Sequence, residues 1–165
     1  MKVAICPGSF DPVTKGHIDI IRRTAKMFDK VVVVVMFNYH KANYYFTADE
    51  RVEMLKRCTT SIPNVEIESY SGLLADYARL KQATAVVKGL RAVSDFEYEF
   101  QQALTNKRLY SDFETVFLTA NPDSMFLSSS VVKQVGEFGG NISEFVPDEV
   151  CDDIIARIKE RNKRK

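Results

Sequence analysis

Five short runs rich in β-branched and other apolar residues recur along the chain, separated by stretches with helical spacing. The runs are Lys2–Cys6, Val31–Met36, Val65–Glu68, Ala85–Lys88 and Thr115–Leu118. Val31–Met36 is too short and too uniformly apolar for an amphipathic helix. Ile18, Ile21, Ala25 and Phe28, by contrast, repeat at three- and four-residue steps and form one apolar helical face. Strands apolar on both faces and alternating with helices belong to buried parallel sheets. The expected architecture is therefore α/β: a doubly wound sheet of five parallel strands with helices on both faces.

Helix starts sharpen the reading. Thr47-Ala48-Asp49-Glu50 and Ser94-Asp95-Phe96-Glu97 are spaced as capping boxes. Ser71-Gly72 precedes a helix through Leu74, Tyr77, Ala78 and Lys81, and Pro147-Asp148-Glu149 opens a last helix through Ile154, Ile155 and Ile158. No repeat, low-complexity tract or linker interrupts the 165 residues, so residues 1–165 are expected to form one domain. No apolar run approaches the ~20 residues that span a bilayer, and the N-terminal apolar stretch is too short for a secretory signal. Cys6, Cys58 and Cys151 are odd in number and far apart, forming neither a disulfide framework nor a metal or redox motif. A reducing cytoplasm is the expected setting.

The net charge of +1 conceals an asymmetry. Six of the 23 basic residues and one of the 22 acidic ones lie in 157–165, which leaves 17 basic against 21 acidic in the remainder. Nucleic acid is one partner for such a tail; a helix end whose cations suit the dipole is the other, and no nucleic acid is expected. If the body binds phosphates, it does so through a few placed cations and backbone N–H groups.

In doubly wound sheets ligands lie beyond the carboxyl ends of the strands, so the loops there are where chemistry is sought. After the first run comes Pro7-Gly8-Ser9-Phe10-Asp11-Pro12-Val13-Thr14-Lys15-Gly16-His17. Gly8 and Gly16 let backbone approach a phosphate, and His17 opens a helix, where anions are favoured. The glycines are as readily turn formers and His17 a cap. The loop carries neither a Walker A nor a GxGxxG pattern.

Thr14-Lys15-Gly16-His17 resembles the (H/T)xGH signature of the nucleotidylyltransferase superfamily, and Leu127-Ser128-Ser129-Ser130-Val131-Val132-Lys133 resembles its second signature, ISSTxxR, with lysine for arginine. Lys88-Gly89-Leu90-Arg91 through Asp95-Phe96-Glu97-Tyr98-Glu99 is narrower and is similar to bacterial phosphopantetheine adenylyltransferases. The resemblance spans essentially the whole chain and implies a Rossmann-like sheet. It also implies transfer of an adenylyl group from ATP to 4′-phosphopantetheine, giving dephospho-coenzyme A and pyrophosphate, in a homohexamer.

By position, the resemblance implies that Ser9 and Phe10 contact nucleotide, with Ser9 also near the acceptor phosphate, and that His17 touches the reacting α-phosphate. Lys41, Leu74 and Lys88 then line the acceptor site. Gly89, Leu90, Arg91 and Glu99 line the nucleotide site, and Ser124, Met125, Phe126, Leu127, Ser128, Ser129 and Ser130 wrap ATP. The implied catalytic set is His17, Lys41, Arg91 and Ser129. Two departures stand out. Lysine replaces the usual arginine at Lys88, turning a forked grip into a point charge. The loop Tyr39-His40-Lys41-Ala42-Asn43-Tyr44-Tyr45-Phe46 has a single lysine and is about two residues longer than the family's.

The chemistry needs no general base. A phosphate monoester has its second pKa at ~6 and is largely ionised at neutral pH, so the absence of a Ser-His-Asp or paired-carboxylate pattern is no obstacle. Mg²⁺ is expected to arrive bound to ATP, with no protein metal site. A sister nucleotidyltransferase using another acceptor, such as nicotinamide mononucleotide or glycerol phosphate, is the nearest alternative. A non-catalytic nucleotide-binding module on the same fold is another.

Overall fold

A computed structural model describes residues 1–37 and 43–164. Strands β1 (Val3–Gly8), β2 (Lys30–Met36), β3 (Val65–Tyr70), β4 (Ala85–Leu90) and β5 (Glu114–Thr119) alternate with helices α1 (Lys15–Ala25), α2 (Ala48–Thr59), α3 (Leu74–Leu80) and α4 (Val93–Leu109). A 3₁₀ turn, Pro122–Ser124, then leads to α5 (Ser129–Glu137) and α6 (Asp148–Asn162). All five strands are parallel, in the order β3-β2-β1-β4-β5. The order reverses beside β1, between β2 on one side and β4 on the other. That reversal opens a crevice at the strand ends, as doubly wound Rossmann-like sheets do.

The valine run explains the two layers. Successive side chains of a strand point to opposite faces, so Val31, Val33 and Val35 pack with Ile18, Ile21, Leu55 and Ile154 on one face. Val32 and Val34 pack with Ile5, Tyr77, Ala78 and Phe113 on the other. Both faces are covered, and β2 therefore carries no alternation of polar residues.

The Thr47 box forms as expected: Glu50 N–H donates to Thr47 Oγ1 at 3.2 Å and Thr47 N–H to Glu50 Oε2 at 2.7 Å. The Ser94 box does not. Helix α4 begins two residues earlier, at Val93 behind Ala92, which makes no side-chain cap. Asp95, in the first turn, instead takes both the backbone N–H and the Nε–H of Arg91. Helix α3 ends at Leu80: Lys81 is its C-cap and Gln82 then takes a positive φ of 52, while the Lys81 ammonium lies 2.6 Å from Glu68 on β3.

The last helix opens behind Pro147 with Asp148 and Glu149 in its first turn, and its basic end is partly structural. Arg157 reaches Glu50 Oε1 and the Tyr45 carbonyl, each at 2.5 Å, and lies over the Phe46 ring. The Arg157 hydrogen bond, aided by the Thr47 N–H, holds the Glu50 carboxyl down at about 2. A depressed folded-state pKa contributes stability that is present above the unfolded value near 4.5 and lost as pH falls toward 2. Gln retains the capping box but not the charge. Glu50→Gln is therefore expected to lower the melting temperature at neutral pH, the pair's exposure keeping the loss to about 1 kcal/mol or less. The gap from wild type should close between pH 4.5 and 2; a constant gap across that range would place the effect elsewhere.

Candidate active site

The β1–α1 loop turns sharply. Phe10 adopts φ 49, and a side chain on Gly8 would meet the Phe10 ring at 2.9 Å, so only glycine leaves the ring its place. Contacts from other elements clasp the loop at three positions, Ser9, Asp11 and Pro12. Asp11, buried, accepts the N–H groups of Tyr45 (3.0 Å) and Phe46 (2.9 Å) and the ammonium of Lys133 on α5 (2.5 Å). Arg51 of α2 donates to the Ser9 carbonyl at 2.7 Å, and the Ser129 hydroxyl donates to the Pro12 carbonyl at 2.7 Å.

Thr14 caps α1, and His17 completes a capping box, its Nδ1 accepting the Thr14 N–H at 3.0 Å. An acceptor Nδ1 leaves the neutral ring's proton on Nε2. The imidazole also rests edge-on against Phe10, 5.0 Å between centroids. Ring orientation and tautomer are thus both fixed by the loop.

Across the crevice, Lys88 at the end of β4 lies 3.3 Å from Glu99 Oε2, close enough for an ion pair but misaligned for a hydrogen bond. Asp95 holds Arg91, whose Nη1 also donates to the Leu127 carbonyl at 3.1 Å. Ser128 caps α5 by accepting the Val131 N–H, while the Ser129 and Ser130 N–H groups at the start of that helix have no intrahelical acceptors.

These groups surround one cavity of about 830 Å³. Ser9, Phe10 and His17 form one wall and Lys88, Gly89, Arg91 and Glu99 another, while Leu74 and Leu127 to Ser130 complete it. The two signature turns, remote in sequence, therefore face a common space. Leu90, Ser124, Met125 and Phe126 are not part of the wall. The Leu90 carbonyl binds the Ala120 N–H, Met125 is half exposed, and Phe126 packs on Phe145. Lys41 and His40 lie outside the described residues.

Cys6 also lines the cavity, but burial pushes its thiol up to about 11, so it stays protonated and is no nucleophile. Among the described residues no group of three His, Cys, Asp or Glu side chains is arranged to hold a metal ion. The chemistry on offer is anion binding: a fixed imidazole N–H, two cations and a helix N-terminus around one pocket.

Residues 5–135 match the cytidylyltransferase-like family. A phosphopantetheine adenylyltransferase of Caldanaerobacter subterraneus is 54% identical over 159 residues, covering 96% of this chain and 99% of its own. One from Heliobacterium modesticaldum is 53% identical over 161 residues, covering 98% and 93%. The chain belongs to the phosphopantetheine adenylyltransferase family. Among solved structures, a Vibrio parahaemolyticus protein assigned as a nicotinate-nucleotide adenylyltransferase superposes with a TM-score of 0.66 at 17% identity. It covers 95% of this chain and 96% of its own, and at that identity the likeness speaks for the fold.

Sequence reasoning about a phosphopantetheine adenylyltransferase missed several groups that the structure places at the site. Tyr98 and Gln102 line the cavity beside Asp95 and Glu99. The four fall at three- and four-residue steps on α4 and so share one face; that spacing was the available signal. Arg51 had none, since it acts through backbone carbonyls of a loop folded in three dimensions; Asp11 and Thr14 lay within the signature loop, but their holding roles depend on contacts with Lys133, Tyr45, Phe46 and His17.

Replacing Asp11 would strand the Lys133 charge in a largely enclosed site. Asp11→Asn is expected to cost about 3–5 kcal/mol of stability in chemical denaturation. Combining it with Lys133→Met should recover part of that loss, because neither charge is then left alone. Additive losses would show that the two residues do not act as a pair.

Proposed function

We propose that the protein transfers an adenylyl group from ATP to 4′-phosphopantetheine, giving dephospho-coenzyme A and pyrophosphate in coenzyme A synthesis, within a single domain spanning residues 1–165. The observation that carries this reading is the shared cavity: His17, the start of α5, Arg91 and Lys88 all face it. An ionised phosphate monoester is its own nucleophile, so the obstacle is one anion attacking another. The remedy is alignment and donors fixed before the reaction begins.

His17 Nε2–H serves an α-phosphate oxygen, where charge grows in the transition state. Lys41, between β2 and α2 in the sequence, serves the same phosphate. Arg91, the Ser130 hydroxyl and the N–H groups at the start of α5 hold the β and γ phosphates. The Ser129 hydroxyl is already committed to the Pro12 carbonyl, so Ser129 contributes its backbone N–H and fixes the opposite loop. Lys88 and Ser9 hold the acceptor phosphate. Gly89 and Phe10 admit the nucleotide closely, Leu74 lies along the acceptor, and Leu90 and Ser124 to Leu127 form the outer rim of the ATP site.

Mg²⁺ comes with ATP and keeps several waters, since no carboxylate cluster among the described residues would cage it. The protein works in the cytoplasm as a homo-oligomer, a hexamer by its family. The exposed apolar side chains Val93, Tyr98, Phe100, Leu104 and Leu109 on α4 support self-association. The basic end of α6 is read as structural rather than nucleic-acid-binding, because Arg157 and Arg161 turn onto Phe46 and Tyr45.

Incubation with ATP, Mg²⁺ and 4′-phosphopantetheine should yield dephospho-coenzyme A by mass. ATP binding without turnover on any phosphorylated acceptor would overturn the reading. His17→Ala is expected to lower kcat by roughly 10²-fold or more while the KM for ATP moves only a few-fold. An unchanged kcat would remove His17 from the chemistry.

A further inference from the structure

Among the described residues only two buried side chains are charged, Asp11 and Arg51. Asp11 has Lys133. Among the described residues Arg51 has no carboxylate partner: it takes part in none of the ion pairs that hold Lys88, Arg91, Lys133 and Arg157, and residues 38–42 contain no acidic side chain. Its residue is 2% exposed. The Nε–H donates to the Thr47 carbonyl at 3.2 Å, Nη1 donates to the Ser9 carbonyl at 2.7 Å, and Cζ lies 4.2 Å from the centre of the Tyr44 ring.

A guanidinium stays charged at any physiological pH. Carbonyl oxygens and a ring face satisfy its donors without cancelling its charge, so the low-dielectric interior carries an unmatched positive charge directly behind Ser9. Arg51 is outside the cavity wall and Ser9 is within it. The Ser9–Phe10 peptide is trans, so fixing its carbonyl on Arg51 turns the Phe10 N–H the opposite way. Phe10, at φ 49, holds the bend that makes this possible.

We propose that Arg51 is a positioning residue for the acceptor's phosphate: it locks the Ser9 peptide from behind, and a dianionic phosphate monoester bound at Ser9 supplies the counter-charge that the fold withholds. This inference rests on the assignment of Ser9 to the acceptor phosphate. It differs from the role of Lys88, which meets the ligand from the opposite wall and is already matched by Glu99. A purely structural arginine would be indifferent to whether the ligand carries a phosphate.

The test compares ligands with and without that group, on the full chain. Arg51→Gln is expected to raise the KM and calorimetric Kd for 4′-phosphopantetheine about tenfold or more, as loss of a desolvated charged partner does. Binding of pantetheine, which lacks the phosphate, and the KM for ATP should each stay within about threefold. Arg51→Lys keeps the charge but not the two-pronged hold and should fall between. Equal weakening of both ligands, an equal rise in the ATP KM, or no change would overturn the proposal. If Arg51→Gln gives no cooperative melt, Arg51→Lys decides alone by the same comparison. If neither variant folds, Arg51 is a structural residue and the proposal fails. Wild-type turnover separates the two levels: failure of the wild type to use 4′-phosphopantetheine sinks the assigned activity, whereas wild-type turnover without phosphate-selective loss in the variants sinks only the role of Arg51.

Discussion

The contact between Asp11 and Lys133 joins the β1–α1 loop to helix α5 across 122 residues of sequence, and the site exists because they are joined. A carboxylate in so enclosed a position is tolerable only when every oxygen is met. Here the ammonium and two backbone N–H groups meet it. The same contact draws together the start of α1, the approach to α2 and the body of α5. Ser129, one turn before Lys133 on α5, then reaches the Pro12 carbonyl. The imidazole of His17 and the N-terminus of α5 become two parts of one rigid piece. Catalysis by preorganised donors needs that rigidity, since a donor that must be repositioned during the reaction loses much of its advantage.

The cations of the opposite wall are held differently. Lys88 and Arg91 each face a carboxylate of α4, Glu99 and Asp95. These carboxylates fix the side chains and offset their charge. An anion entering the cleft would share each cation with its carboxylate rather than meet a bare charge. Such sharing would favour anions carrying several negative charges over those carrying one. The lysine at position 88 accentuates this, because an ammonium can serve two acceptors from one point, whereas a guanidinium would present a planar fork to one of them.

The fold was legible where periodicity carries it. All five strands and the helical faces followed from runs such as Val31–Met36 and the spacing of Ile18 and Ile21, because burial on one or two faces imposes a period on the sequence. Failures came where tertiary contacts compete with local preference. Ser94 has the spacing of a cap, yet α4 starts earlier because Asp95 is engaged with Arg91 across the turn. At the site, the signature residues that line the cavity lay within recognisable blocks, and so did Asp11 and Lys133, but the contacts that join the blocks were not legible. Asp11 pairs with Lys133 and with the N–H groups of Tyr45 and Phe46, and Arg51, an isolated charged letter, binds the Ser9 carbonyl. No sequence pattern announces a bond to a carbonyl 42 residues away.

Gly89 ties the sheet topology to the catalytic geometry. The reversal of strand order sets the end of β4 beside α1, and a Cβ at Gly89 would come within 3.0 Å of Ile20 Cγ1. Ile20 stands three residues after His17 on α1, hence on the same face of that helix. A side chain at position 89 would therefore press on the helix whose first turn carries the imidazole. The backbone of β4 and the first turn of α1 lie as near each other as they do because this position has no side chain. Ile20 would have to give by a few tenths of an ångström to admit even one methyl group there, so the spacing between the wall that carries Arg91 and Lys88 and the helix that carries His17 depends on glycine at this position.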